Sequence, residues 1–508
     1  MNRCIEILKK LDKSIYTVFA CILVWIAGNV CMESVFMKDK AMGVGMVLLL
    51  FAFYFWYVYR PAEDRDKAIC NLVLLFGFLV RVIYIWAIPH NASPHDIGNI
   101  IDSAEVTPGH LGYIGYIYHY GKIPDMDPRE YWSFYNPPLY YILSAIWLRI
   151  NTVLGIEWNQ AVENLQILNL LYTSMAIVAF EKILDELSIK GKAKNLTLCF
   201  FGTFPMFNWL SGNMTTDSLM FLFAVLIILY TIRWYKKRDM KTIVILAFCI
   251  GFGMITKISL GLFAISVGTV FIWGFVDNIR KDRGAVKRYL LQFLIFLLIC
   301  APIGLSWTVR NKVRFGMEAD FVQSIGEENS GQYIGNVALV DRIGIPSIPQ
   351  MSYAKLEYNS ELDTNIWMTL ARTALYDEGG ALSFQSVVAE KVGVFVIFVN
   401  IFIGIFMLVS SLIMFVKKSN LWDFVIRLFF ALICFTYFIS YFKFCFDYPQ
   451  ICSMSFRYIA FLVGIPMIGA GMFLTEKENK YCMKLLTFAC FLGNGLATLL
   501  YLKYCMFI

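Results

Sequence analysis

The sequence predicts an all-α fold: a polytopic transmembrane helical bundle of about thirteen spans, with two large outer-face loops carrying juxtamembrane helices. Three observations lead there. Of 508 residues, 59% are hydrophobic and 16% charged, against about 45–50% and about 25% in soluble domains. The apolar residues fall in runs of roughly 18–25, each long enough to cross a hydrocarbon core about 30 Å thick. Between these runs the short loops are basic. Such a composition excludes a water-soluble enzyme, a disordered chain, a coiled coil and a disulfide-stapled secreted domain. The net charge of +7 is spread over short loops and gathers in no single patch, so it does not point to nucleic acid.

Spans are expected near 15–37, 42–59, 68–88, 163–186, 195–211, 213–233, 242–257, 259–276, 288–309, 391–416, 421–442, 456–474 and 481–505. Arg3, Lys9, Lys10 and Lys13 precede a long apolar stretch without a small-residue cleavage site. The N-terminus therefore reads as a retained first span and not as a signal peptide. Basic segments at 60–67, 187–194, 234–241, 277–288 and 417–418 belong on the cytoplasmic side. Alternate counting from a cytoplasmic N-terminus satisfies each of them, provided that Leu139–Leu154 does not cross. That stretch is expected to be an interfacial or re-entrant helix.

Two large loops then fall on the outer face, 89–137 and 310–390. The second is too long to be passive. Within it, Leu362, Ile366, Leu370 and Ala374 recur at i, i+4 spacing, so Tyr358–Tyr376 reads as an amphipathic helix that could lie on the membrane surface. The chain divides into 1–67 (N-terminal spans and a cytoplasmic loop), a transmembrane core over 68–309, the second loop over 310–390, and C-terminal spans over 391–508. Most of the thirteen cysteines sit in apolar runs and act as small hydrophobes. Cys445 and Cys452 share a short polar loop and could pair in an oxidising compartment.

The polar chemistry is concentrated. All four histidines, His90, His95, His110 and His119, fall in one loop rich in Tyr, Gly and Pro; aromatic residues build stacking surfaces and His titrates near neutrality. The competing explanation is an aromatic interfacial belt with incidental histidines. No His pair has helical metal-ligand spacing, so no metal is expected to be required, although a divalent ion is possible. Asp96 follows the 68–88 span, where partial desolvation would raise its basicity and suit it to take a proton from a hydroxyl; a helix cap is the bland alternative. Asp217 lies in an outer turn and is either a cap or a holder of hydroxyl groups. Arg81, Lys257, Arg310 and Arg457 all run against the positive-inside bias. An anion in an outer cavity would offset their cost, and Arg and Lys are the usual phosphate partners.

At these residues the chain resembles the GT-C superfamily of integral-membrane glycosyltransferases, and most closely its branch of protein O-mannosyltransferases and the lipid A aminoarabinose transferase. The resemblance runs from about residue 68 onwards. It rests on His95-Asp96, Tyr135-Asn136-Pro137-Pro138-Leu139-Tyr140-Tyr141, Asn213 to Asp217, Thr256-Lys257, Arg310-Asn311 with Phe315-Gly316, and Phe456-Arg457-Tyr458. Departures are His95-Asp96 in place of an Asp-Glu or Asp-Asp pair, Ile258 after Lys257 where Gly is common, and two additional N-terminal spans. The resemblance implies inverting transfer of one sugar from a polyprenyl-phosphate carrier to an acceptor hydroxyl at the outer face of a bacterial cytoplasmic membrane. The acceptor would be an envelope glycan, lipid or protein. Asp96 would be the base, Lys257, Arg310, Arg457 and Arg81 would meet the phosphate, and His95, His110, Tyr135 and Asp217 would contact substrate. A lipid-linked glycan ligase or polymerase is the alternative by chemistry. A secondary transporter, the non-enzyme alternative, calls for internal repeats and short loops on both faces.

Overall fold

The computed structural model describes residue 52 and residues 64–92, 97–279, 284–323, 331–359, 361–378, 387–416, 423–477 and 480–507. The expected spans 15–37 and 42–59 (residue 52 apart), the basic residues at 280–283 and 417–418, and the His95-Asp96 pair lie outside the described residues.

The described chain is helical, with one isolated bridge between Tyr333 and Gln450 as its only β-pairing. Its helices are α1 (Arg65–Ala87), α2 (Gly109–Tyr120), α3 (Leu139–Val153), α4 (Trp158–Glu163), α5 (Gln166–Glu186), α6 (Gly191–Gly202), α7 (Pro205–Gly212), α8 (Asp217–Lys237), α9 (Met240–Met254), α10 (Phe263–Ile279) and α11 (Ala285–Phe315). There follow α12 (Leu339–Ile343), α13 (Ile348–Met351), α14 (Ile366–Tyr376), α15 (Val387–Val416), α16 (Phe424–Asp447), α17 (Gly464–Lys477), α18 (Lys480–Cys490) and α19 (Leu496–Phe507).

Nine helical segments among the described residues are long and apolar enough to cross a membrane; two of the thirteen expected spans lie outside the described residues. The expected span 195–211 is broken. Its two halves, α6 and α7, have 12 and 8 residues, each too short to cross alone at about 1.5 Å per residue. Pro205 opens α7 at its first turn, where a missing N–H is tolerated and continuation of α6 is not. α3 has 15 residues, about 22 Å of helix. It buries Tyr140, Tyr141, Ala145 and Leu148 and exposes Ile146, Ile150 and Val153, as suits a helix that does not cross. α8 packs between α5 and α9. Its Trp234 is fully buried and donates from Nε1 to Gln292 Oε1 at 2.9 Å. On α11, by contrast, Leu290, Leu291, Leu294, Leu297 and Leu298 form an exposed helical stripe, the pattern of a lipid-facing surface.

The second large loop differs from expectation. Its helix begins at Ile366, where Asn365 Oδ1 accepts from the Trp367 and Met368 N–H groups at 3.1 and 3.2 Å. Nine of the eleven residues of α14 are buried, so this helix does not lie on the membrane surface. The residues that looked like a polar face point inward to partners. Arg372 pairs with Asp363, both fully buried, and donates to the carbonyls of Tyr353 (3.1 Å), Leu362 (3.2 Å) and Gln350. Thr373 Oγ1 accepts the Phe456 N–H at 2.9 Å, stitching the loop to the stretch before α17. Cys445 and Cys452 are not joined in a disulfide: Cys445 donates to Ser453 O at 3.4 Å and Cys452 to Gln450 Oε1 at 3.8 Å.

Candidate active site

At one end of the bundle, segments far apart in sequence enclose a cavity of about 240 Å³. Its wall includes His110 and Tyr135 of the first loop, Asp217 at the start of α8, Lys257 after α9, and Arg457 before α17. Five of the nine residues singled out in the sequence thus share one cavity. Its remaining surface is aromatic and acidic: Trp307, Tyr437 and Tyr458 line it, together with Glu318 and Asp320. The last two arrive because Gly316, at φ +63°, ends α11 in the left-handed region and turns the chain back.

The charged centre is built on Asp217, which is 1% exposed. Its Oδ1 accepts from Lys257 Nζ, and its Oδ2 accepts from Thr215 Oγ1 at 3.2 Å and Arg457 Nη1 at 3.4 Å. It occupies the first turn of α8, where the helix dipole favours a carboxylate. The turn before it is fixed from below: Asn169 Nδ2 donates to Asn213 O at 2.8 Å, and Asn169 Oδ1 accepts from Ser218 Oγ at 2.7 Å. Asp217 is therefore more than a cap. It is the counter-charge of two cations.

Lys257 sits in the turn between α9 and the 3₁₀ stretch Ile258–Leu262, with its ammonium 4.8 Å above the Tyr458 ring. Burial lowers its pKa below the ordinary lysine value, while Asp217 opposes that shift. Among the described residues, Asp217 is its one hydrogen-bond acceptor, so two of its three N–H donors are left for a ligand. Arg457 opens a run of 3₁₀ geometry over Phe456–Val463. It donates from Nη2 to the Tyr458 hydroxyl at 3.1 Å, and its Nε lies 3.0 Å from Glu378 Oε1, an ion pair by distance without hydrogen-bond alignment.

His110 Nδ1 meets the Tyr141 hydroxyl at 2.7 Å. Behind it, Tyr141, Tyr113 and Phe134 stack at centroid spacings of 4.0 and 4.6 Å, a rigid backing for a ring that faces the cavity. Tyr135 accepts from Trp307 Nε1 through its carbonyl at 3.0 Å.

The other predicted residues are placed elsewhere. Arg81 is fully buried between α1, α6 and α7 and does not line the cavity. It donates to the carbonyls of Gly77 (2.6 Å), Gly202 (3.0 Å) and Phe207 (3.2 Å). Its charge is thus met by three backbone carbonyls, of which Gly202 O lies at the C-terminal end of α6, where the helix dipole favours a cation. Arg310 lies within α11 and not in a loop. It donates to Pro124 O and Asn311 Oδ1 and stacks on Trp307 at 4.7 Å, tying the first loop to α11 behind the cavity wall. His90 meets Glu163 at 2.7 Å, and His119 Nε2 lies 3.2 Å from Ile101 O. The histidine cluster of the sequence therefore disperses.

Glu378 escaped the sequence reading, as did Asp377, whose Oδ2 accepts from Asn213 Nδ2 at 3.1 Å. Two acids before Gly379-Gly380 look like an ordinary loop; only the folded chain brings them to Arg457. Among the described residues no group of three or more His, Cys, Asp or Glu side chains is arranged to hold a metal.

Residues 136–307 match the family of dolichyl-phosphate-mannose-protein mannosyltransferases. No curated protein matches the sequence. Solved structures similar to this chain include ArnT from Cupriavidus metallidurans bound to undecaprenyl phosphate, at 12% identity over 79% of this chain and 77% of that one, with a TM-score of 0.32. Its apo form gives 13%, 78%, 76% and 0.31. The likeness to these two structures is too slight to carry any residue across.

Proposed function

We propose that this chain, which matches the family of dolichyl-phosphate-mannose-protein mannosyltransferases over residues 136–307, is a GT-C glycosyltransferase that moves a single sugar, with inversion, from a polyprenyl-phosphate carrier to an acceptor hydroxyl. The reaction would take place at the outer face of a bacterial cytoplasmic membrane, on an envelope glycan, lipid or protein. The observation that carries this reading is the convergence of Lys257 and Arg457 on the wall of one small, aromatic-lined cavity.

The chemistry calls for fixed positive charge. The acceptor oxygen attacks the anomeric carbon, the bond from that carbon to the phosphate oxygen breaks, and the lipid phosphate departs with the electron pair. Its charge rises from about −1 as a diester to about −2 as a monoester at neutral pH. Lys257 and Arg457, already held in place by Asp217 and Glu378, can meet that growing charge without reorganising. The acceptor proton goes to Asp96. Support for this role is indirect: Ile97, the next residue, accepts the Leu111 N–H at 2.7 Å through its carbonyl, one position from His110 on the cavity wall. His110 and Tyr135 would contact sugar or acceptor, and Glu318 and Asp320 are suited to accept from sugar hydroxyls. No metal is assigned a step.

A cavity of about 240 Å³ lies below the roughly 300–1,000 Å³ typical of drug-sized ligands and favours one sugar over a whole glycan. Purified protein in liposomes, offered a panel of polyprenyl-phosphate monosaccharides with envelope extract as acceptor, should release polyprenyl phosphate from one of them. Cells lacking the protein should lose one sugar mass from an envelope component. An unchanged envelope together with no release from any donor would remove the proposal.

A further inference from the structure

The second large loop carries an apolar surface that the proposed reaction does not use. Residues 338–349 read Ala-Leu-Val-Asp-Arg-Ile-Gly-Ile-Pro-Ser-Ile-Pro, with Asp341 the one acid. Leu339, Val340, Ile345 and Ile348 are 57%, 72%, 95% and 77% exposed. Isolated exposed aliphatics are ordinary, but a cluster of this kind marks an interaction surface.

The surroundings identify what covers it. Arg342 folds back beneath the patch, donating from Nη2 to Cys445 O at 2.7 Å and lying 4.6 Å over the Phe446 ring. Both belong to the last turns of α16, a candidate membrane span. Trp367, itself exposed, donates from Nε1 to Ile343 O at 2.8 Å and meets the Phe442 ring at 5.5 Å. Along α16 the exposed side chains Phe435, Phe438, Ile439 and Phe446 run towards this point. The patch therefore continues the lipid-facing side of α16, and it is edged by the Trp, Phe and Arg residues typical of the boundary between hydrocarbon and headgroups.

We infer that the segment Leu339–Ile348 lies in the interfacial layer of the lipid bilayer and anchors the second loop to it. The surface-lying element of this loop is thus α12 and α13, not the amphipathic helix legible in the sequence. Anchoring there sets the depth of the cavity wall. Asn365 Nδ2 donates to the carbonyls of Gly344 (2.9 Å) and Asp341 (3.3 Å), and the buried Arg372–Asp363 pair locks α14 behind it. α14 then delivers Asp377 and Glu378 to Asn213 and Arg457.

The test uses the full chain in liposomes with a nitroxide attached at Ile345→Cys, at Ile348→Cys, or at the exposed control Glu361→Cys of the same loop. Signal from the unsubstituted protein, which has native thiols, is subtracted. Collision with oxygen, which concentrates in lipid, should exceed collision with a water-soluble nickel chelate severalfold at 345 and 348, and the order should reverse at 361. Two outcomes overturn the inference. Nickel access at 345 and 348 equal to that at 361 places the patch in water. Shielding from both reagents means that protein covers it, such as a second copy of the chain. Each site is exposed, so labelling does not disturb the core.

Discussion

Lys257→Met tests the role of the cavity cations most directly. Methionine keeps an apolar stem over the Tyr458 ring and removes only the ammonium. The departing phosphate gains about one negative charge, and a unit charge about 4 Å away is worth about 4 kcal/mol at an effective dielectric of 20. Asp217 already offsets part of the ammonium's field, which brings the expected loss of transition-state stabilisation to roughly 2–3 kcal/mol. At about 1.36 kcal/mol per tenfold, kcat should fall about 30- to 150-fold. The diester is already an anion when it binds, so KM should rise less than kcat falls. The assay is the release of polyprenyl phosphate from the competent donor, followed by mass spectrometry. The substitution also strips a buried carboxylate of one partner, which can damage the fold. The double variant Lys257→Met with Asp217→Asn separates the two causes. If the ammonium acts on the leaving group, the double variant stays slow. Recovery to within tenfold of the parent would refute the reasoning.

Other expectations follow from the same geometry. Asp96→Asn should abolish transfer while leaving donor-lipid binding intact, read by native mass spectrometry beside the release assay; unchanged transfer removes Asp96 from the mechanism. Burial lowers the Lys257 pKa, and deprotonation removes positive charge, so activity should be lost as pH rises, with the limb below the ordinary lysine range. Lys257→Arg, which stays charged, should move that limb upward in a pH–rate profile. Arg372→Met leaves Asp363 buried and unpaired, which should cost about 3–5 kcal/mol and expose the second loop to proteolysis; adding Asp363→Leu should restore resistance.

Much of the bundle was legible because a span must bury twenty or so backbone pairs in lipid, and only a long apolar run does that. α1, α5, α8 and α15 announce themselves this way. The break at 203–204 did not, since both halves are apolar and hydropathy averages across Thr203. Its cost is visible elsewhere, in Arg81. An arginine deep in an apolar helix is a sound signal of something unusual, but it does not say whether the compensating dipole belongs to a ligand or to the chain. Here Gly77, Gly202 and Phe207 supply carbonyls, so the residue supports the fold.

The same ambiguity, resolved the other way, defines the site. Lys257 and Arg457 also sit where positive charge is disfavoured, and their partner Asp217 is equally legible, as the acid of an apparent helix cap. What the sequence could not hold is that these three meet, and that Glu378, from a loop 79 positions before Arg457, completes the balance at 3.0 Å. Asp217 and Glu378 offset the charges of Lys257 and Arg457, which lowers the cost of holding these cations largely out of water at the end of a membrane bundle. A paired cluster is also poised. A phosphate entering the cavity must draw on donors that Asp217 and Glu378 do not saturate, and Lys257 has two of them. Anion binding at this site therefore depends on Lys257 and also on how firmly the second loop holds Glu378 against Arg457, and hence on the packing of α14.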